Sequence, residues 1–344
     1  MTTYKEAGVD VEAGDAAVDR IRPLVRDTHT PGVLADIGSF GSFFELDLEG
    51  LDRPVLVSSV DGVGTKVKVA RRMGRYDTIG QDLVNHCVND IAVCGARPLY
   101  FLDYVGVGDL APDVAEAFVR GFATACKENG CALVGGEMAE MPDVYGDDNF
   151  DLVGAITGVV DKEQILDGAA VAPGDVLLGV PSTGIHTNGY TLARSVLLDR
   201  YSVDDQPAAL DGETVGEALL RVHRSYLATI RALIEDSLVH GCAHITGGGL
   251  PGNLRRILPD GCAAEVDYAA WERPPVFDLI QREGAVPEDD MRRTFNLGIG
   301  LVAAVSPQQA EAARRVCREQ GDEVIEIGRV VSTDASAAAS PDAG

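Results

Sequence analysis

The sequence predicts two domains of mixed helix and sheet, an α+β or α/β chain with sheet plus helices in the first half and a mixed-sheet α/β second half. Three observations carry that expectation. The chain has 344 residues, enough for two separate cores. Short runs rich in Val, Leu, Ile and aromatics alternate with longer amphipathic stretches in both halves. Asp167-Gly168 and Pro173-Gly174-Asp175 punctuate the chain midway and set a boundary near residue 170. The expected units are 1–170, 171–333 and a tail, 334–344, whose Ala, Ser and Asp content suits disorder.

Taken in order, the first element is a helix from about Asp15, with Ala17, Ile21, Leu24 and Val25 on one face, fading by His29-Thr30-Pro31-Gly32. A loop with Gly38, Phe40 and Gly41 follows. Residues 55–60 form a strand and 77–95 a helix; 98–107 form a strand and 111–129 a helix with Pro112 near its first turn. Residues 131–134 and 152–160 complete the first half as strands. The second half opens with a strand at 176–180 and carries strands at 263–266, 298–305 and 324–331 among helices.

Composition narrows the function. Acidic residues number 54 against 29 basic, a net charge of −25, which repels nucleic acid and anionic membranes alike. There is no run of 18 apolar residues, and the start MTTYKEAGVDVEAGD lacks the basic and apolar parts of a signal peptide. A soluble, cytoplasmic protein is expected. Its seven cysteines are scattered without a C-x-x-C pair, so they read as small buried hydrophobes rather than a zinc ribbon or redox centre.

Four stretches carry chemistry. SSVDGVGTK (58–66) is neither a P-loop nor a dinucleotide fingerprint, which leaves a Gly-rich turn or a nucleotide loop of another kind. On the helix DTIGQDLVNHCVNDIAVCG (77–95), Asp90 shares the apolar stripe of Leu83, Cys87, Ile91 and Cys94 with no Lys or Arg nearby, which favours a metal as its partner. Asp82, His86 and Asn89 form a second stripe that reads as a solvated face. Glu137 follows two glycines at the end of the strand CALV, so Asp61, Asp90 and Glu137 are three hard oxygen donors of the kind Mg²⁺ takes, with Lys66 a point charge for a phosphate. His186 in STGIHTNGY (182–190) is either structural or an acid–base group. Gly247-Gly248-Gly249 before the helix expected at 251–258 reads as an anion site.

With these gathered, the chain resembles the phosphoribosylformylglycinamidine cyclo-ligases, the aminoimidazole ribonucleotide synthetases of purine biosynthesis. The matching stretches are YKEAGVDVEAG, VSSVDGVGTK, DTIGQDLVNHCVNDI, RPLYFLDY, LVGGEMAEMPDVY, STGIHTNGYTLAR, HITGGGLPGN and RTFNLGIGL, collinear over nearly the whole chain. The resemblance implies a ligase that consumes ATP and formylglycinamidine ribonucleotide. Mg²⁺ is the implied ion and K⁺ a further candidate. It also implies a homodimer in which the first domains pair into a barrel near the ATP. By the same resemblance Asp61 and Asp90 hold Mg²⁺–ATP, while Gly62, Gly64, Thr65 and Lys66, with Gly38 and Gly41, meet the nucleotide. Glu137 meets metal or substrate, Asn188, Gly247, Gly248 and Gly249 meet substrate, and His186 is a general acid–base or transition-state stabiliser. The implied catalytic residues are thus His186, Lys66 and Asp90. Ser39, in place of a frequent glycine, and Thr187, in place of a frequent serine, depart from the pattern. A superfamily kinase of the thiamine-monophosphate type is one rival, and a non-catalytic nucleotide-binding scaffold another. The kinase has no use for STGIHTNGY or RTFNLGIG in this form, and the scaffold none for Asp61, Lys66, Asp90, Glu137 and His186 together.

The charge yields a prediction. High Asp with only five lysines resembles proteins of salt-loving cells. At molar KCl the Debye length is about 3 Å, so self-repulsion is screened. Melting temperature and activity should therefore rise along a KCl series; a flat or falling melting temperature would exclude this.

Overall fold

The computed structural model describes residues 11–146 and 149–333; the tail expected at 334–344 lies outside them. The first half runs α1 (Val11–Arg26), β1 (Pro54–Gly62), α2 (Val67–Met73), α3 (Asp77–Ala92), β2 (Arg97–Val107), α4 (Pro112–Glu128), β3 (Ala132–Glu140), the single turn α5 (Pro142–Tyr145) and β4 (Phe150–Asp161). The second half runs β5 (Val176–Pro181), α6 (Tyr190–Leu197), α7 (Val215–Leu220), α8 (Leu227–Glu235), β6 (Gly241–His244), α9 (Gly249–Leu254), β7 (Cys262–Val266), α10 (Pro275–Gly284), α11 (Glu288–Thr294), β8 (Ile299–Val305), α12 (Ala310–Glu319) and β9 (Ile325–Ser332).

Each half builds its own sheet. The first is four-stranded in the order β1-β4-β2-β3, and the second five-stranded in the order β6-β8-β5-β9-β7. Mixed pairing, expected of the second sheet, occurs in the first, where α4 returns the chain so that β2 and β3 lie side by side and parallel. In the second sheet every bonded pair is antiparallel. The reason is spacing: α12 carries the chain from β8 to β9, parallel strands that β5 separates.

Two expected boundaries move. β3 runs on through Gly135 and Gly136 to Glu140, because β2 pairs with it the whole way across a bulge at Phe101/Leu102. Glu137 is therefore a mid-strand residue. The helix expected at 251–258 instead occupies Gly249–Leu254.

Helices α3 and α4 cover one face of the first sheet, closing a core around Ile79, Leu83, Phe101, Phe118 and Phe122. On the other face β1 turns Leu56 and Val60 outward, 60% and 66% exposed. The alternation of half-buried and exposed residues along β1 is the period-2 pattern of a sheet with one side packed.

The two covering helices touch backbone to backbone. A Cβ on Gly121 would stand 2.1 Å from the Asp77 carbonyl oxygen, and one on Gly80 would stand 2.5 Å from that of Phe118. Gly121→Ala should therefore force α3 and α4 apart and cost about 1–3 kcal/mol, the range for overpacking. A denaturant titration checks this; an unchanged midpoint would show that the helices can slide without loss.

Candidate active site

Where the halves meet, helix α3 grips a segment that is neither helix nor strand, residues 221–226. Asp82 Oδ1 accepts from the His223 N–H at 2.7 Å, and Asn85 Nδ2 donates to the His223 carbonyl at 2.8 Å. Asn89 accepts from the Tyr226 N–H at 2.8 Å and donates to the Arg224 carbonyl at 3.0 Å. The stripe read as solvated is thus buried: Asp82 and Asn89 are 0% exposed and His86 is 1%. Its composition was the available signal, since a solvated helix face uses Lys and Glu rather than amides and histidine.

Lys66 is the second correction. It is fully buried, 2.6 Å from Asp82 Oδ2, and donates to the carbonyls of Arg221 at 2.8 Å and His186 at 3.1 Å. Burial pulls its pKa down and that of Asp82 up, with the pair's mutual attraction opposing both. In this structure its ammonium ties the DGVGTK loop to the second half and does not face a phosphate.

Above this clasp lie four of the six histidines in the chain, His86, His186, His223 and His244. His86 Nε2 donates to Asp61 Oδ2 at 2.9 Å, and its Nδ1 meets Thr187 Oγ1 at 2.7 Å. Thr187, a departure from the family pattern, is therefore a buried link that also reaches His223 Nδ1 at 3.4 Å. His223 Nε2 meets His244 Nε2 at 3.0 Å. His244 Nδ1 donates to Asp90 Oδ1 at 2.8 Å, and Ser59 Oγ donates to the other Asp90 oxygen at 3.1 Å. Asp90 thus finds the partner its apolar face demands in a histidine from the other half.

The charges follow from these contacts. Burial pushes Asp61 and Asp90 upward, but the hydrogen bonds and charges of His86 and His244 outweigh it and leave both carboxyls below their ordinary value. For His86 burial works downward, yet Asp61 and Asp90 raise it above 6.5. His186 and His223 fall well below 6.5 through burial and neighbouring positive charge; His244 falls as well, with Asp90 opposing. His186 is therefore neutral at pH 7, 2% exposed, with φ 67° and its ring stacked on His223 at 3.9 Å.

The other expected residues fall elsewhere. Asp61 sits on β1 and Glu137 on β3, the two edge strands, three strand spacings or about 14 Å apart measured along the sheet. Asp61, Asp90 and Glu137 are not one ligand set within the chain. Glu137 lines a cavity of about 780 Å³ with Ile21, Gly38, Gly41, Tyr100 and Asp103. There Gly136 serves packing, since a Cβ would stand 2.4 Å from the Asp103 carboxylate. In the TGGG turn Gly249 also packs, against the Arg292 carbonyl at 1.9 Å from a would-be Cβ, whereas Gly247 and Gly248 are exposed and Gly247 adjoins Asn188.

Family models of AIR synthase-related proteins match this chain, the N-terminal domain over residues 49–160 and the C-terminal domain over 172–339. A phosphoribosylformylglycinamidine cyclo-ligase of an Anaeromyxobacter species is 51% identical over 95% of each chain. Another, from Sorangium cellulosum, is 52% identical over 96% of this chain and 95% of its own. The chain belongs to the phosphoribosylformylglycinamidine cyclo-ligase family.

Outside the family, the fold recurs in a thiamine-monophosphate kinase of Stenotrophomonas maltophilia, with TM-score 0.70, 20% identity, and 92% and 93% of the two chains covered. A hydrogenase maturation protein HypE solved with ATP gives TM-score 0.66 at 21% identity, covering 95% and 89%. These establish the shared fold.

Family motifs contained His244, in HITGGGLPGN, without marking it, and His223 lies in none of them. Residues 86, 186, 223 and 244 have no common spacing to read.

Asp103 supplies the pH prediction. Burial beside Gly136 raises its carboxyl to about 7. The folded chain then keeps a proton that the unfolded chain releases near pH 4, so this group withdraws stability as pH rises from about 4 to about 7. Relative to wild type, Asp103→Asn should gain melting temperature progressively through that window and hold the gain above it. A difference that stays constant with pH would refute the shift.

Proposed function

We infer that the protein closes the imidazole ring of formylglycinamidine ribonucleotide at the expense of ATP, giving 5-aminoimidazole ribonucleotide, ADP and phosphate. The observation that carries this reading is half-identity to cyclo-ligases over nearly their whole length. In the chemistry, the formamide oxygen attacks the γ-phosphorus and ADP leaves. The resulting iminophosphate has a good leaving group where the amide had a poor one. The amidine-side nitrogen attacks that carbon, the C–O bond breaks, phosphate departs, and the attacking nitrogen loses its proton.

Asp61 and Asp90 fit Mg²⁺. Each is held ionised by a histidine on one side and keeps side-chain surface free, 41% and 29%. The ion would offset phosphate charge there; K⁺ is the further proposed ion, with no residue assigned to it. The cavity with Gly38, Gly41 and Glu137 is the proposed seat of the nucleotide, and the exposed Gly247-Gly248 turn with Asn188 that of the substrate phosphate. His186, neutral and buried, is proposed to stabilise developing charge after its loop opens. Lys66 is proposed to hold that loop's backbone. The outward Leu56 and Val60 of β1 support burial of this sheet face in a homodimer.

A coupled assay with formylglycinamidine ribonucleotide should yield ADP, free phosphate and aminoimidazole ribonucleotide in equal amounts. A phosphorylated acceptor would indicate a kinase, and ATP binding without turnover a scaffold. Asp90→Asn should fold and lose turnover at limiting Mg²⁺ by about a hundredfold; wild-type activity there would remove Asp90 from the metal site.

A further inference from the structure

Two nitrogens in the histidine cluster face one another across 3.0 Å, His223 Nε2 and His244 Nε2. Each ring's other nitrogen is already engaged. His244 Nδ1 donates to Asp90, which in the neutral ring leaves Nε2 a bare lone pair. His223 Nδ1 lies 3.4 Å from Thr187 Oγ1, and when it donates there its Nε2 is bare too. In the other tautomer His223 Nε2–H donates to His244 Nε2 while its Nδ1 accepts from Thr187, so the 3.0 Å contact can hold a hydrogen or, with both nitrogens bare, a metal ion. His186 brings a third imidazole, and its Nδ1 is buried with no partner. One ligating nitrogen from each of the three rings lies within 4.8 Å of the others. All three residues are buried, between 0% and 5% exposed, and burial favours their neutral, ligating form.

We propose that His186, His223 and His244 form a site for a borderline divalent transition ion of the Zn²⁺, Co²⁺ or Ni²⁺ class, separate from the Mg²⁺ proposed at Asp61 and Asp90. The donor set decides the class, since three imidazoles suit these ions and serve Mg²⁺ poorly. Three histidines with one open position is a zinc pattern, and the Asp90 bond to His244 is the carboxylate support that metal-bound histidines use. Loading has two structural consequences. His223 carries its hydrogen on Nδ1, towards Thr187 Oγ1, which frees its Nε2 and that of His244 as ligands. His186 leaves its stack, because rings only 11° from parallel cannot both aim in-plane lone pairs at one ion, and gives up the Thr183 N–H held at 3.3 Å. Entry runs past the part-exposed carboxylates of Asp61 and Asp90, which attract cations. A filled site withdraws His186 from the substrate, so the ion acts as an inhibitor.

The neighbouring set His86, Asp90 and His244 shares one ligand with this site and suits a harder ion. The test separates them. Co²⁺ titrated into the full chain without ATP should give the visible absorption of a tetrahedral ion at one per chain. Zn²⁺ should abolish the band and excess Mg²⁺ should not. His223→Gln and His186→Gln should weaken Co²⁺ binding by about a hundredfold or more, and Thr187→Val by about ten- to a hundredfold, in variants whose thermal melts show a folded protein. Absence of the band in wild type overturns the proposal. So does a band that survives in folded His223→Gln, which means an adventitious ion only. Loss in His86→Gln but not in His223→Gln places the ion in the carboxylate-lined set and overturns it as well.

Discussion

The unpaired backbone of residues 221–226 is the constraint on which the rest of the molecule depends. Buried peptide groups outside helix and sheet must find partners or cost free energy comparable to a lost hydrogen bond each. Asp82, Asn85 and Asn89 supply them, one helical turn apart along α3, so the first half reads the second through main-chain atoms. Lys66 adds two more carbonyls, from Arg221 and His186. Removing any one of these side chains strands buried donors or acceptors on both sides. That explains why a helix face can be polar and fully buried together.

The clasp fixes where the histidines stand, and their charges follow. In a low-dielectric pocket neighbouring imidazoles cannot all be protonated. Asp61 and Asp90 favour the charged form of His86, while burial and neighbouring positive charge favour the neutral forms of His186, His223 and His244. The result is a pair of part-exposed carboxylates beside a cluster of buried imidazoles. A chain of net charge −25 thereby keeps two carboxylates and a cluster of buried imidazoles side by side.

The first sheet sets the larger geometry. Glycine contacts let α3 and α4 lie close over one face, which frees the other, where Leu56 and Val60 project. The four strands also separate the chemistry, with Asp61 and the histidines at the β1 edge and the cavity with Glu137 and Asp103 at the β3 edge. A nucleotide is an extended molecule, and the proposed site asks it to use both edges.

The sequence by itself determined the family and most of the strands and long helices, because period-2 and period-3.6 apolar patterns are local properties of the chain. It also marked Asp90 as a carboxylate on an apolar stripe in need of a partner, and favoured a metal for it. Only the tertiary structure decided who the partners are. Asp90 meets His244, 154 residues away, and Lys66 meets Asp82 under a segment 155 residues on. Asp82, His86 and Asn89 read as solvent-facing because nothing local distinguishes a polar stripe facing water from one facing a bare backbone. Glu137 left the acid set for the same reason: strand pairing, which no spacing encodes, carried it to the far edge of the sheet.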